Sequence, residues 1–400
     1  MLDFNNYEEL WWSSIARPNA FLKNICEQID AGNSVLTVIS SAFPFRWVFR
    51  DVVANEFSTS HSIEYIDSVE DLSDLDPGAM VVNLLNPTKL NDYNRCWRDE
   101  DRFSVLKELP GMDKSVIWVR SIPDEHVNQW ISFLRRYLSS PGHEGVFFLE
   151  LLSDELIPDR LPQNIYKINY EKYVSLADLR LFTSMIAANL YPEQEQEYAA
   201  TLSATVCQTD PEVAVRLLED GDLCNVNALD KLKKIRDCFE PSSRGLKRGW
   251  DNLEHPLSLL DSGDWQKLEY RIWSAQLRVA FSIIEVERQN LIAKYEAELH
   301  DALSHSYLDR KTSDERWIEN ETGEKIRDPF DLEIGKLFFM TKVYRYPNGS
   351  EYFWQGTTPQ DRQRIGYLRD RRNELAHLHI VDANDFLPLL YPEIPLQSSG

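Results

Sequence analysis

Short apolar runs alternate with amphipathic stretches over the first half of the chain. Five runs have the length and the branched or aromatic content of strands: SVLTVISS (34–41), AMVVNLLN (79–86), SVIWVRS (115–121), GVFFLELL (145–152) and NIYKINY (164–170). Helical spacing occupies three stretches between or after them: 47–57, 124–138 and 175–190. Near-continuous apolar strands joined by helices are typical of a parallel sheet covered on both faces. The pattern therefore predicts a doubly wound α/β domain over residues 1–195.

The second half of the chain has the spacing of helices. Residues 196–240 are helical in pattern, and a segment rich in Pro, Ser and Gly (240–256) follows, so we assign 196–255 to a helical bridge and linker. Residues 264–303 form one long apolar stripe without Pro or Gly, and a further helix is expected over 329–340. We predict an all-α helical-bundle domain over 256–400.

A hairpin and a capped helix complete this predicted domain. Asn348-Gly349 is a strong signal for a hairpin turn between two short strands. After it, Thr358 is suited to cap a helix, and Pro359 fits the first helical position. These residues predict that the last long helix begins at this point.

The first strand-to-helix turn is where a doubly wound domain usually binds its ligand. A phosphate-binding loop needs glycines, a lysine and a Ser or Thr, but SSAFPFR (40–46) has no glycine and no lysine. The run 79–86 ends in Asn83 and Asn86, where an NTPase would place a magnesium-binding acid. We therefore expect a domain that does not hydrolyse nucleotide.

The order of these elements resembles the core of AAA+ and STAND-type NTPases, up to and including the segment 151–170. With both nucleotide-handling motifs missing, the resemblance implies a degenerate, pseudo-NTPase module that regulates a second domain. An unrelated Rossmann-like scaffold is one alternative. A nucleotide-binding switch with an unusual phosphate loop is another.

The last long helix carries polar side chains on and beside its apolar face. Ile365, Leu368, Leu375 and Ala376 fall on one arc at 100° per residue, and Arg372 falls in the middle of that arc. A guanidinium there is costly unless it meets a carboxylate, a phosphate or a wet cleft. Asn373 and His377 line an adjoining stripe, so all three polar residues can converge on one edge of the helix.

RNELAH (372–377) resembles the Arg-polar-x-x-x-His motif of HEPN domains. LEIGKLFFM (332–340) and the long preceding helix are also similar to that family, and the resemblance covers roughly residues 260–395. It implies a metal-independent endoribonuclease, often formed where two such helices meet across a dimer axis. No cofactor and no metal are expected.

The resemblance gives three residues catalytic roles. His377 is expected to be the general acid and base, because histidine gains and loses a proton near neutral pH. Arg372 is expected to hold the phosphate, since its planar fork matches two oxygens. Asn373 is expected to orient the histidine or the phosphate. Five arginines against two aspartates over 361–372 provide a local basic patch, and we assign RNA binding to three of them: Arg364, Arg369 and Arg371.

Each of these residues also has a structural explanation. Arg372 could form an interhelical ion pair with a glutamate of the long helix, and the arginine cluster could be a solvated face. His377 could be structural, and His379 is expected in the core. Four aromatic residues of the hairpin are expected to cover the helices rather than stack on bases: Tyr344, Tyr346, Phe353 and Trp354.

The composition narrows the class of protein. The formal net charge is −22 at pH 7, which argues against a general nucleic-acid coat or an anionic membrane partner, so RNA would need a local basic patch. No run approaches the roughly 18 apolar residues of a membrane span. Five cysteines form no CxxC pair, and Asp3, Glu8 and Glu9 do not suit a secretory leader. These features predict a cytoplasmic protein with buried thiols.

Two classes of function follow. The leading hypothesis is a HEPN ribonuclease toxin restrained by the pseudo-NTPase module or by a partner protein, and its role in prokaryotic anti-phage defence is implied by the resemblance alone. The alternative is a non-catalytic HEPN adaptor that dimerises and recruits a separate ATPase or effector. RNA as substrate and a homodimer through the helices belong to the first hypothesis.

Overall fold

A computed structural model describes most of the chain. The described residues are 7–39, 43–67, 76–152, 157–158, 160–208, 210–238, 254–309, 311–341, 344–345, 351–352, 354 and 357–393. The chain forms two compact units, one made of residues 1–189, 207–216 and 234–261 and the other of 190–206, 217–233 and 262–400. The predicted bridge, 196–255, is thus divided between both units.

The first unit is built on a five-stranded parallel sheet. Its strands are β1 (Ser34–Val38), β2 (Ser62–Ile66), β3 (Ser115–Ile122), β4 (Val146–Leu151) and β5 (Ile165–Asn169). They lie in the order β2-β3-β4-β1-β5, with every neighbouring pair parallel. A parallel sheet in this half of the chain confirms the α/β prediction, and four of the five predicted strand runs are strands.

Helices cover both faces of the sheet. They are α1 (Tyr7–Ser14), α2 (Ala16–Asp30), α3 (Arg46–Phe57), α4 (Pro77–Leu85), α5 (Leu90–Arg95), α6 (Asp99–Lys107), α7 (Asp124–Leu138) and α8 (Leu176–Leu190). Ile117 and Val119 of β3 pack in one core with α4, α6 and α7. Trp118, between them, contacts Phe57 of α3. Because alternate strand residues point to opposite faces, α3 lies on the other face from α4, α6 and α7.

The run 79–86 is a helix, so its prediction as a strand was wrong. Asp76 caps α4 by accepting a hydrogen bond from the amide of Ala79 at 2.9 Å, and Pro77 occupies the first turn. Every residue over 77–82 is buried, so this part of the helix has no solvent-exposed face. Asn83 and Asn86 therefore do not mark the end of a strand, and their comparison with the magnesium-binding position of an NTPase no longer applies. The strand β2 was not predicted.

Gly78 provides a test of packing on α4. A Cβ added at this glycine would lie 2.7 Å from Cζ of Tyr93 and closer still to its hydroxyl oxygen. Tyr93 cannot move away freely, since it is buried and donates a hydrogen bond to Asp76 at 2.9 Å. We expect Gly78→Ala to lower the free energy of unfolding by about 1–3 kcal/mol in urea titrations.

A matched glycine gives the control for this substitution. Gly335 lies in a helix, and nothing stands within 4 Å of a Cβ added there. Gly335→Ala is expected to be neutral or to stabilise by up to about 1 kcal/mol. Equal losses in the two variants would contradict the packing explanation.

Four helices follow the sheet: α9 (Glu193–Cys207), α10 (Pro211–Leu218), α11 (Ala228–Cys238) and α12 (Pro256–Ser262). Asp210 accepts hydrogen bonds from the amides of Glu212 and Val213 at 2.9 and 3.1 Å. Pro211 is the first residue of α10. Asp210 therefore caps α10.

The remainder of the second unit is mainly helical. Its helices are α13 (Trp265–Lys294), α14 (Glu296–Ser304), α15 (Ile334–Met340), α16 (Pro359–Ala376) and α17 (Ala383–Leu390), with a 3-10 turn at Pro329–Asp331. Two short antiparallel pairs join β6 (Tyr307–Leu308) to β7 (Glu315–Arg316) and β8 (Tyr344–Arg345) to β9 (Glu351–Tyr352). The predicted long helix is divided at Tyr295. The predicted turn at Asn348-Gly349 lies outside the described residues.

The core of this unit forms where α16 packs on α13 and α15. Buried Ile365, Leu368 and Leu375 form the inner face of α16. Trp354 is buried with its ring 4.9 Å from that of Tyr295, as expected for a covering residue. The side chains of the other three hairpin aromatics lie outside the described part. No helix within the described ranges is long and apolar enough to cross a membrane.

Candidate functional site

The helix α16 begins and ends at identifiable residues. The hydroxyl of Thr358 accepts a hydrogen bond from the amide of Asp361 at 3.1 Å, which confirms the predicted cap. The helix ends at Ala376, and the amide of His377 donates to the carbonyl oxygens of Asn373 and Glu374. The chain then turns through Leu378, whose φ of 62° is left-handed.

This early end changes two sequence predictions. Ala376 and His379 are both exposed, so placing Ala376 on the inner arc and His379 in the core was wrong. The physical reason is the left-handed residue at 378, which turns the chain away before another helical turn can bring His379 inward.

Arg372 is half-buried beside the inner face of α16. It lines a cleft with Phe281 and Glu285 of α13 and with the segment 330–334. Within the described residues its guanidinium makes no hydrogen bond or ion pair, so the alternative of an ion pair with a glutamate of α13 is not realised. A partly desolvated cation without an anion is costly, which points to a ligand that is not part of the chain.

Asn373 and His377 follow Arg372 by one and five residues, and both are exposed. Residues four apart on a helix lie about 40° apart around its axis, so these two side chains share one edge of α16. Neither side chain forms a hydrogen bond with the described part of the chain. This edge therefore presents an amide and an imidazole to an external group, and Arg372 lies on the neighbouring side of the helix.

The three arginines predicted to bind RNA are held by carboxylates of the chain. Arg364 forms a two-pronged ion pair with Glu287 of α13, with one N–O distance of 2.7 Å. Arg371 lies 3.1 Å from both Glu374 and Asp385. The interhelical pair considered for Arg372 thus occurs at Arg364.

Arg369 is engaged in the same way. It donates to the neighbouring carboxylate of Asp370 at 2.9 Å, and its guanidinium carbon lies 3.7 Å from the ring centroid of Phe338. These contacts neutralise most of the predicted basic patch. RNA binding by the three arginines would require their carboxylate partners to be displaced, and it stays a prediction.

The cleft around Arg372 carries charges of both signs. Glu285, Asp331 and Glu333 oppose Arg288 and Arg372, which gives a formal charge of −1 from three carboxylates and two guanidinium groups. Arg288 donates to Glu285, and this hydrogen bond lowers the pKa of the Glu285 carboxyl despite some burial. Glu285 is thus paired with Arg288 and not with Arg372.

At the N-terminus of α3 the chain itself fills the place of a phosphate. Phe45 has a left-handed φ of 46°, and its amide donates to the carboxylate of Glu212 at 3.4 Å. Phe43 is buried and stacked on Trp12, with ring centroids 5.4 Å apart. Burial, and then the charge of Glu212, raise the pKa of Glu8, so a phosphate entering here would meet two carboxyl groups.

A carboxylate near the carboxyl end of β4 is also committed to partners within the α/β unit. Glu150 of β4 is fully buried and accepts hydrogen bonds from Nε of Arg50 at 3.0 Å and from Nε1 of Trp118 at 2.9 Å. The carboxyl end of β3 carries Arg120 and Ser121 in place of an acid. No cluster of three or more His, Cys, Asp or Glu side chains suited to a metal occurs among the residues the structure covers.

These features predict that the α/β unit does not respond to nucleotide. We expect millimolar ATP with magnesium to leave the melting temperature unchanged, whereas a site saturated a hundredfold would stabilise by about 2.7 kcal/mol. A saturable rise in melting temperature by differential scanning fluorimetry that persists in Arg372→Ala would contradict this. Because Arg372 lines the cleft of the second unit, a rise that persists in this variant would not come from binding in that cleft.

Models of known protein families and curated proteins give no match to this chain. The cleft adds residues that the sequence did not assign to a site, because it joins three segments distant along the chain. Among them is Phe330, whose side chain is 43% exposed.

Proposed function

We propose that the chain is a metal-independent endoribonuclease with its active site on the edge of α16 that carries Arg372, Asn373 and His377. One observation carries the proposal. The Arg372 guanidinium is half-buried and has no anionic partner among the residues that the structure describes, although Arg364 and Arg371 on the same helix are both paired. A phosphate would supply the missing anion.

The reaction suits these three side chains. The 2′-oxygen of a ribose forms a bond to the adjacent phosphorus while the bond from phosphorus to the 5′-oxygen breaks. One proton leaves the 2′-hydroxyl and another reaches the departing 5′-oxygen. The products are a 2′,3′-cyclic phosphate and a 5′-hydroxyl, and no oxidant or metal is consumed.

Each residue has one role in this proposal. His377 transfers protons, since it is exposed beside the phosphate position at the end of α16. Arg372 binds two phosphate oxygens and offsets the charge that develops on them. Asn373 orients the phosphate or the imidazole through its amide.

A homodimer that joins two α16 edges would complete the site. One histidine can remove the first proton, but a second group must deliver the other, and a second copy of His377 could do so. This arrangement agrees with the resemblance to HEPN domains, which also implies that the helical unit is a HEPN-like bundle. A toxic effector of this kind in anti-phage defence would be held inactive by the α/β unit or by a partner ATPase in the cytoplasm.

The proposal is tested by incubating the full chain with labelled tRNA and total RNA in EDTA. We expect cleavage into fragments with 5′-hydroxyl ends. A wild-type chain that cuts no RNA in this assay and is also not toxic when it is expressed in cells would contradict the nuclease.

A second function, a non-catalytic adaptor, is favoured by a separate observation. The carboxylates bound to Arg364, Arg369 and Arg371 and the net charge of the cleft leave little positive surface for RNA. The adaptor hypothesis predicts an inert wild type that still dimerises and captures a partner, with capture unaffected by His377→Ala.

A further inference from the structure

The cleft beside Arg372 has the size of a small-molecule site. Its volume is about 530 Å³, within the roughly 300–1,000 Å³ of ligand pockets. It lies wholly in the second unit, between α13, the segment 330–334 and Arg372. Two features of its lining are not explained by folding alone.

The first feature is a pair of exposed aromatic rings. Phe281 and Phe330 line the cleft, with 41% and 43% of their surfaces exposed. Neither ring contacts another aromatic ring in the part of the chain that the structure describes. Exposed rings at a phosphate-binding cation are suited to stack on nucleic-acid bases, which is a sequence-tolerant contribution of about 1–3 kcal/mol per base.

The second feature is a pair of carboxylates without partners. Asp331 and Glu333 line the cleft and are exposed, and over the described ranges neither side chain makes a hydrogen bond or ion pair. Glu285, the third carboxylate, is already bound to Arg288. Two acceptors are therefore open to hydrogen-bond donors of a ligand.

Arg288 holds this side of the cleft in place. The guanidinium is buried and donates to the carbonyl oxygens of Phe330 and Leu332, at 3.0 and 2.8 Å. The segment that carries Phe330, Asp331 and Glu333 is thus fixed to α13 before any ligand arrives. Because this segment is already ordered, less conformational entropy is lost when a ligand binds.

We propose that this cleft is a guanine-binding pocket and that the enzyme cuts single-stranded RNA next to a guanosine. The inference rests on the proposed nuclease function and adds its base preference. The base stacks against Phe281 and Phe330, its donor edge faces Asp331 and Glu333, and its phosphate lies at Arg372.

The chemistry of the base edges selects guanine. Guanine presents two adjacent donors, N1–H and the N2 amino group, which match the two oxygens of a carboxylate. Adenine and cytosine each present one amino group beside a ring nitrogen whose lone pair repels a carboxylate. Uracil presents one N–H between two carbonyl oxygens. A cleft with free carboxylates therefore binds guanine best, and the same carboxylates keep the phosphate at the Arg372 end.

The test uses short single-stranded oligouridylates that contain one guanosine, inosine or adenosine. Inosine lacks only the N2 amino group, so losing its hydrogen bond to a carboxylate should slow cleavage about tenfold relative to guanosine. Adenosine should be slower still. The double variant Asp331→Asn with Glu333→Gln should lose the preference, and Glu321→Gln, an exposed carboxylate outside the cleft, should retain it.

Binding of GMP and AMP, measured by isothermal titration calorimetry, separates this inference from the nuclease proposal. Tighter binding of GMP that is lost in the double variant supports the pocket even if no RNA is cut, and that combination would overturn the nuclease. Cleavage without a guanosine preference would overturn the pocket and leave the nuclease standing. Neither cleavage nor discrimination between GMP and AMP would overturn both.

Discussion

Arg372→Ala and His377→Ala are each expected to reduce RNA cleavage about a thousandfold, because each removes a group that acts in the transition state. In the proposed reaction, Arg372 supplies the positive charge that the phosphate needs as its oxygens gain charge. His377 is proposed to move a proton in a reaction that must both lose and gain one. The measurement is the initial rate of cleavage of a labelled RNA in EDTA.

Matched controls separate this effect from a general loss of charge. Arg278 is an exposed arginine of α13 outside the cleft, and His300 is an exposed histidine of α14. Arg278→Ala and His300→Ala should retain full activity, and all four variants should keep the circular dichroism of the wild type. Equal losses in Arg278→Ala and Arg372→Ala would show that only overall charge matters.

The second large effect is expected on stability, at the buried ion pair of the α/β unit. Glu150→Gln should lower the free energy of unfolding by about 3–5 kcal/mol in urea titrations. Arg50 is only 4% exposed and donates to both oxygens of Glu150. Without the carboxylate, its charge would stay buried with no counterion, and the hydroxyl of Ser121 at 3.0 Å cannot replace it.

Two controls define this prediction. Replacing both partners by apolar residues, Arg50→Met with Glu150→Leu, should recover most of the loss, since no charge is then left buried. Asp99→Asn removes a carboxylate from an exposed pair with Arg136 and should cost less than about 1 kcal/mol. A loss in Glu150→Gln no larger than that in Asp99→Asn would contradict the account.

The sheet could be predicted largely from the apolar runs, and its exceptions have physical causes. β1, β3 and β4 are largely buried strands of typical length, and the edge strand β5 keeps the apolar side chains of Ile165 and Ile168 buried. Residues 79–86 are equally apolar, but a helix buried on all sides has no polar stripe to distinguish it from a strand. β2 contains Glu64 and is only partly buried at the sheet edge, so it lacks an apolar run.

The site was predictable only in its local part. The cap at Thr358 and the edge with Arg372, Asn373 and His377 follow from spacing on a single helix. The partners of Arg364 and Arg371, Glu287 and Asp385, come from α13 and α17, and no periodicity reveals such pairs. The end of α16 depends on a left-handed Leu378, a conformation that leucine rarely adopts.

In the proposed reaction, the 2′-hydroxyl of the RNA attacks its own phosphate without a metal, with Arg372 and His377 beside it. The decisive experiment incubates the chain in EDTA with an RNA that is cleaved at a mapped position and with the same RNA carrying a single 2′-deoxy nucleotide there. We expect a 2′,3′-cyclic phosphate from the first RNA and no cleavage at that position in the second. Cleavage of the deoxy-substituted RNA, or products with 3′-hydroxyl ends that require magnesium, would contradict it.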